Sequence, residues 1–240
     1  KPVIVECDEK QNFKITPSQL EESISLKTKW LMLNSPSNPT GSVYKKEELL
    51  ALGEVLLQNS HVYILTDDIY EKIIYDDNKF ATLASVVPDL KNRTITLNGV
   101  SKSYCMTGWR LGYCGGPKEI INGMNKIQSQ STTSTSSISM AASVEALSGN
   151  QDFIFDHNIQ FKKRRDMVVK KLNEIEGIVC STPPGAFYVY PSCAELMGKK
   201  TPNGEVIDSD EKFMNYLLES EGVAGVQGEA FGLSPYFRLS

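Results

Sequence analysis

Apolar residues in this chain gather into short runs separated by longer stretches of helical periodicity. Val3, Ile4 and Val5 open like a short strand. Thr16-Pro17-Ser18-Gln19 reads as a helix start, with a Thr cap, Pro in the first turn and Gln completing a capping box. Residues 30–33 form a compact apolar run suited to a buried strand, and a turn-rich segment, residues 34–41, follows it. Residues 47–58 are amphipathic at helical spacing. Residues 62–65 are a further apolar run, ending in Asp67-Asp68, and residues 93–97 and 109–114 repeat the pattern. Short apolar strands alternating with helices predict an α/β domain on a largely parallel sheet.

The pattern changes after about residue 150. Residues 152–176 read as one long helix with a basic middle at 162–165. Beyond it, residues 177–181, 186–190 and 236–239 look like strands around a helix at 211–221, the layout of a smaller α+β unit joined by the long helix. The Ser/Thr-rich stretch 129–139 runs into a helical segment at 140–147 and is expected to be an ordered loop and helix start.

Composition narrows the possibilities without adding a function. A chain of 240 residues can bury a substantial core, and 40% hydrophobic with 22% charged residues is ordinary for a globular protein. A formal net charge of -4 gives no electrostatic reason to expect nucleic acid or an anionic membrane as partner. No apolar run approaches the roughly 20 residues that a spanning helix needs, so no membrane partner is expected. The start of the chain lacks a signal-peptide layout. Five scattered cysteines, never Cys-x-x-Cys, argue against a disulfide framework or a zinc site and for a reducing, cytoplasmic compartment; no metal is expected. Only two histidines are present, His61 and His157, and neither is expected to carry the chemistry.

Three polar constellations fall just past the carboxyl ends of strands, where an open α/β sheet places its ligands. The first is Asn34-Ser35-Pro36-Ser37-Asn38-Pro39-Thr40-Gly41, whose two steps into proline and closing glycine demand a rigid turn. The second is Asp67-Asp68-Ile69-Tyr70. Neighbours along a strand face opposite ways, so at most one of the two carboxylates points at a shared ligand. The third is Gly99-Val100-Ser101-Lys102, followed by Gly108-Trp109-Arg110-Leu111-Gly112. A lysine close behind an apolar strand, among small residues, is one that desolvation makes nucleophilic.

In order, spacing and content these segments resemble fold-type I pyridoxal-phosphate enzymes, specifically the class I/II aminotransferases of the bacterial aspartate aminotransferase type. The resemblance extends over nearly the whole chain. Its most specific parts are Asn38-Pro39-Thr40-Gly41, Asp67-x-x-Tyr70, Ser101-Lys102 with Arg110 eight residues on, and the terminal Phe237-Arg238-Leu239-Ser240.

The resemblance implies a large αβα cofactor-binding domain with a mostly parallel sheet over residues 1–150, an interdomain helix at 151–176 and a small, incomplete α+β domain at 177–240. It implies pyridoxal 5'-phosphate held by Lys102 as a Schiff base, with the same lysine then moving the substrate's α-proton. Asp67 would face the pyridine nitrogen and keep it protonated, leaving Asp68 as the outward-facing neighbour. Asn38 and Tyr70 would hydrogen-bond the ring hydroxyl, Arg110 and the Ser101 hydroxyl would bind the phosphate, and Arg238 would clamp the substrate's α-carboxylate. Gly185-Ala186-Phe187-Tyr188 resembles the strand whose aromatic approaches the substrate, and residues 130–134 resemble a segment reaching toward the other subunit of a homodimer. Cys105 departs from the pattern, standing where the family favours Gly, Ala, Ser or aliphatic residues. The family's N-terminal segment, its glycine-rich phosphate turn and its ring-stacking aromatic are not found, so the chain reads as an incomplete enzyme.

The activity so implied is amino-group transfer between an amino acid, aspartate first, and a 2-oxo acid (2-oxoglutarate or oxaloacetate) by a ping-pong cycle. An aromatic or prephenate aminotransferase and a carbon–sulfur β-lyase use the same lysine, aspartate and arginines and stay open. From another class, an aminotransferase-like regulatory domain stays open as well.

Overall fold

The computed structural model describes all 240 residues. They divide into two compact units, each discontinuous in sequence. One comprises Thr16–Pro36 and Val43–Asn158, the other Lys1–Ile15, Ser37–Ser42 and Ile159–Ser240.

The first unit is an α/β layer structure, as the alternating pattern predicts. Its sheet runs β1 (Trp30–Asn34), β2 (Tyr63–Asp67), β3 (Thr94–Gly99) and β4 (Gly112–Gly115), in that spatial order. β1, β2 and β3 are parallel and β4 is antiparallel to β3. α1 (Pro17–Ser23) starts at the Thr16 capping box, with Pro17 in its first turn. α2 (Lys46–Gln58) connects β1 to β2 and buries Leu49, Leu52, Gly53 and Leu56. The Arg93 guanidinium donates to the carbonyls of Asn59 at 3.0 Å and Val62 at 2.6 Å, and also to Leu56. It thereby ties the end of α2 to the residue that precedes β2. α3 (Leu83–Val86) precedes β3. α4 (Lys118–Ser131) and α5 (Ser137–Ser148) follow β4, so the Ser/Thr-rich stretch is ordered as a helix end, a short loop and a helix start.

α6 (Asp152–Asn173) is the long helix, divided between the units after Asn158. The second unit packs it with α7 (Asp210–Glu221) around Val169, Leu172, Ile178, Cys180, Val189, Phe213, Met214 and Phe237. Its only regular sheet is a pair of two-residue strands, β5 (Val226–Gln227) and β6 (Phe237–Arg238).

Three expected strands do not form. Residues 3–5 pair with nothing, and Val3 and Ile4 stay 75% and 69% exposed. Residues 177–181 and 186–190 make only isolated bridges, Val179 to Ser192 and Val189 to Leu239. An apolar run becomes a strand only where a neighbour offers an extended ladder, and here Ala186 at φ 54° breaks the extended path. No helix is long and apolar enough to cross a membrane.

Candidate functional site

Sheet register brings the chemistry of the first unit to one edge. Asp67 ends β2 opposite Asn34, which ends β1, and the Asn34 Nδ2 donates to the Asp67 carbonyl at 3.0 Å. β3 runs parallel beside β2 and ends at Gly99, so Ser101 and Lys102 emerge at the same edge. β4 is antiparallel with Gly112 opposite Gly99, so Arg110, two residues before it, emerges there too. Residues separated by more than forty positions thus converge because three strand ends and one strand start share an edge.

Lys102 is half-buried, and its Nζ lies 5.8 Å from the centroid of the buried Tyr70 ring. Asp67 is partly buried. Burial raises its carboxyl above the ordinary value, while the Ile69 N–H, 3.2 Å from Oδ1, and the charge of Lys102 pull the other way. A partly desolvated carboxylate of this kind gains from a further positive partner, which fits a protonated ring nitrogen. Ser101 is half-buried. Arg110 is exposed, its Nη1 donates to the Thr107 carbonyl at 2.9 Å, and its backbone is left-handed at φ 52°. A non-glycine residue pays roughly 1 kcal/mol for that conformation, a feature that clusters at ligand-holding turns.

The lysine turn is anchored from below. Val100, Tyr104 and Ile154 form a buried cluster with Met106, Leu111 and Ala146 packed on it. The Tyr104 hydroxyl donates to Gln151 Oε1 at 2.9 Å, and Lys72 Nζ donates to the same oxygen at 3.1 Å. Gln151 therefore ties the turn after Lys102 to the loop that carries Tyr70. Cys105 sits in this turn with a left-handed backbone at φ 55°, a conformation that glycine adopts without cost and that a residue with a Cβ holds under strain. Its Sγ lies 3.8 Å from His157 Nδ1.

Asp68 departs from expectation. It is not outward-facing but 4% exposed, more buried than Asp67. Facing opposite ways here means one carboxyl toward the edge and the other into the protein. Burial, with the charges of Glu71 and Asp67, pushes its carboxyl up to about 7. The folded state thus keeps a proton that the unfolded chain releases at ordinary carboxylate pH. Stability should therefore fall as pH rises from about 4 to about 7, by up to roughly 4 kcal/mol, and level off above. Urea unfolding of the full-length protein at pH 5 and pH 8 should show the greater part of this loss, and Asp68→Asn should shrink it. An undiminished loss in the variant would assign the pH dependence to other groups.

In the second unit, the Asn38-Pro39-Thr40-Gly41 turn closes through the Gly41 N–H to the Ser37 carbonyl and the Ser37 N–H to the Ser42 carbonyl, both at 2.9 Å. Gly41 has φ +70°, and a Cβ there would lie 2.5 Å from Pro183 Cβ and 2.6 Å from the Gly185 carbonyl oxygen. Only glycine fits. Asn38 Oδ1 accepts from Arg238 Nη1 at 2.9 Å. The Arg238 guanidinium carbon lies 4.9 Å from the Tyr188 ring centroid and 5.2 Å from that of Phe231. Its Nε is buried without a hydrogen-bond partner. A guanidinium flanked by aromatics, with donors to spare, suits a planar anion. Phe187 instead stacks on Phe161 at 5.5 Å. Tyr188 and Phe231 as neighbours of Arg238 escape the sequence reading; the apolar composition of Phe187-Tyr188-Val189-Tyr190 suits the buried stretch it forms but does not say which ring meets the arginine.

The family described as aminotransferase class I and II matches residues 1–240. The aspartate aminotransferase of Rhizobium meliloti (strain 1021) is 52% identical over 240 residues, covering 100% of this chain and 58% of that protein. The aspartate/prephenate aminotransferase of Cereibacter sphaeroides is 52% identical over 239 residues, covering 100% of this chain and 60% of that protein. Among solved structures, the aspartate aminotransferase from Rhizobium meliloti superposes with a TM-score of 0.97 at 52% identity, covering 100% of this chain and 60% of that one. An aromatic aminotransferase from Pyrococcus horikoshii superposes at 0.89 with 34% identity, covering 100% and 62%. The chain thus spans about three fifths of the length of these relatives.

Proposed function

The chain belongs to the aminotransferase class I and II family, and from that premise we propose that the full-length protein is a pyridoxal-phosphate-dependent aminotransferase that moves an amino group from aspartate to a 2-oxo acid. The observation that carries this reading is the meeting of Asp67, Lys102 and Arg110 at one sheet edge.

Bound pyridoxal phosphate would supply an aldehyde that condenses with amines and a protonated ring that accepts electrons from the substrate's α-carbon. Lys102 Nζ holds the cofactor and then carries the α-proton away and back. The Asp67 carboxylate keeps the ring nitrogen protonated by offering it a fixed counter-charge. Tyr70 and Asn38 donate hydrogen bonds to the ring hydroxyl. Arg110 and the Ser101 hydroxyl hold the phosphate. Arg238 grips the α-carboxylate shared by amino and 2-oxo acids. The same reading includes a cytoplasmic homodimer, a cofactor-binding domain over 1–150, a helix at 151–176 and a small domain at 177–240, although Lys1–Ile15 and Ser37–Ser42 cluster with the compact unit of Ile159–Ser240. Prephenate is a second acceptor to test, because a relative at 52% identity is named for both substrates.

The test is the full-length protein with L-aspartate, assayed for oxaloacetate with and without 2-oxoglutarate or prephenate. Product that depends strictly on the acceptor supports the reading. Acceptor-independent release of pyruvate and ammonia from a thioether amino acid such as L-cystathionine would point instead to a carbon–sulfur lyase, because aspartate offers no C–S bond to cleave.

Arg238→Lys should lower catalytic efficiency by about tenfold to a hundredfold, because an ammonium cannot supply the two-bond fork. The loss should fall equally on amino and 2-oxo acids in steady-state kinetics. A variant impaired toward dicarboxylic substrates alone would show that Arg238 reads the side chain instead.

A further inference from the structure

The hairpin that delivers Arg238 is fastened by buried polar groups that the proposed reaction does not use. β5 and β6 pair with Val226 opposite Arg238, and residues 228–236 connect them, carrying Phe231 against the guanidinium. Strands of two residues pair weakly on their own. The placement of Arg238 therefore depends on what holds the connection.

Asp210 holds it from one side. This first residue of α7 is 1% exposed, and its Oδ2 accepts from the backbone N–H of Glu229 at 3.2 Å and of Tyr236 at 3.3 Å, near the two ends of the connection. Tyr190 holds it from the other. Its hydroxyl is shared between the carbonyls of Leu233 at 3.0 Å and Gly228 at 3.4 Å, and its ring stacks on Tyr236 with centroids 5.2 Å apart. One side chain receives the loop's amides and the other donates to its carbonyls, so the loop is specified at both kinds of backbone group. The fit leaves no slack. Gly228 N donates to the Tyr236 carbonyl at 2.7 Å. A Cβ on Gly228 would collide with the Leu233 carbonyl oxygen and lie 2.9 Å from the Tyr190 hydroxyl.

We propose that Asp210 and Tyr190 are positioning residues for Arg238, fixing residues 228–236 so that the guanidinium meets a substrate carboxylate in one orientation. This inference rests on the reading of Arg238 as the carboxylate-binding group. Neither residue touches the substrate; each acts by keeping Phe231 and the start of β6 in place.

The test uses the full-length holoenzyme, with KM and kcat for L-aspartate and calorimetric affinity for the unreactive dicarboxylate succinate. Asp210→Ala should raise KM and weaken succinate about tenfold, with kcat changed less than about twofold. Asp210→Asn keeps an acceptor oxygen and should bring KM back to within about threefold of the parent. Placed on Arg238→Lys, Asp210→Ala should add less than about twofold, since both changes spoil one interaction. An unchanged KM in Asp210→Ala, or full additivity with Arg238→Lys, would overturn the positioning role while leaving Arg238 in place. Should Asp210→Ala not accumulate folded, Tyr190→Phe decides. A KM raised several-fold at constant kcat supports the role, and an unchanged KM overturns it. Unaltered KM in Arg238→Lys alone would remove the reading of Arg238, and the positioning role with it.

Discussion

Replacing Lys102 by alanine in the full-length protein is expected to cut transamination by a factor on the order of ten thousand or more, because one change removes both the cofactor's attachment and the proton carrier. The absorbance band of the lysine-bound cofactor should vanish with it. The fold should survive. Lys102 is only half-buried, and the turn that carries it is anchored by Val100, Tyr104 and Ile154 and by the Gln151 hydrogen bonds, none of which the substitution touches. Thermal unfolding close to that of the parent protein would show that activity was lost to chemistry. A variant retaining the band would mean that another amine holds the cofactor.

The second large effect is expected at Asp67. Asp67→Asn preserves the shape but removes the charge, and losing one preorganised electrostatic contact in a shielded site costs on the order of a thousandfold in turnover. Asp68→Asn should be far milder. Its carboxyl is buried and pushed up to about 7, so near neutrality an amide replaces a group that already spends much of its time uncharged. Turnover under saturating aspartate separates the two. Equal losses, or a larger loss at Asp68, would contradict the assignment of the edge-facing carboxyl.

Sequence reasoning reaches this pair because periodicity two along a strand is a geometric necessity. It does not reach the burial of Asp68, because which face of a strand end is covered depends on segments distant in the chain. The same division runs through the fold. Thr16 to Gln19 carries its capping box in local residue types, and the structure shows that box formed. The apolar runs at β1, β2 and β3 are legible as short apolar segments between turn signals, although Trp30, Met32 and Tyr63 stay exposed on β1 and β2. Residues 3–5 and 186–190 have strand-like composition, yet a strand also needs a partner, and composition does not name one. α4 carries an apolar stripe at helical spacing, Ile120, Ile121, Met124 and Ile127, which the sequence reading passes over, and none of the helix is buried.

At the site, Lys102, Asp67 and Arg110 are legible from motif order. Their convergence needs the sheet order and the antiparallel turn of β4, which no spacing encodes. Asp210 and Tyr190 are invisible for a related reason. Each binds backbone atoms 19 to 43 positions away, and backbone contacts leave no mark on residue type.

Borohydride reduction of the full-length protein, followed by peptide mapping, tests the central claim most directly. Reduction should fix one phosphopyridoxyl group per chain on the peptide containing Ser101-Lys102-Ser103. A label on any other lysine, or a chain that takes up none, would contradict the account.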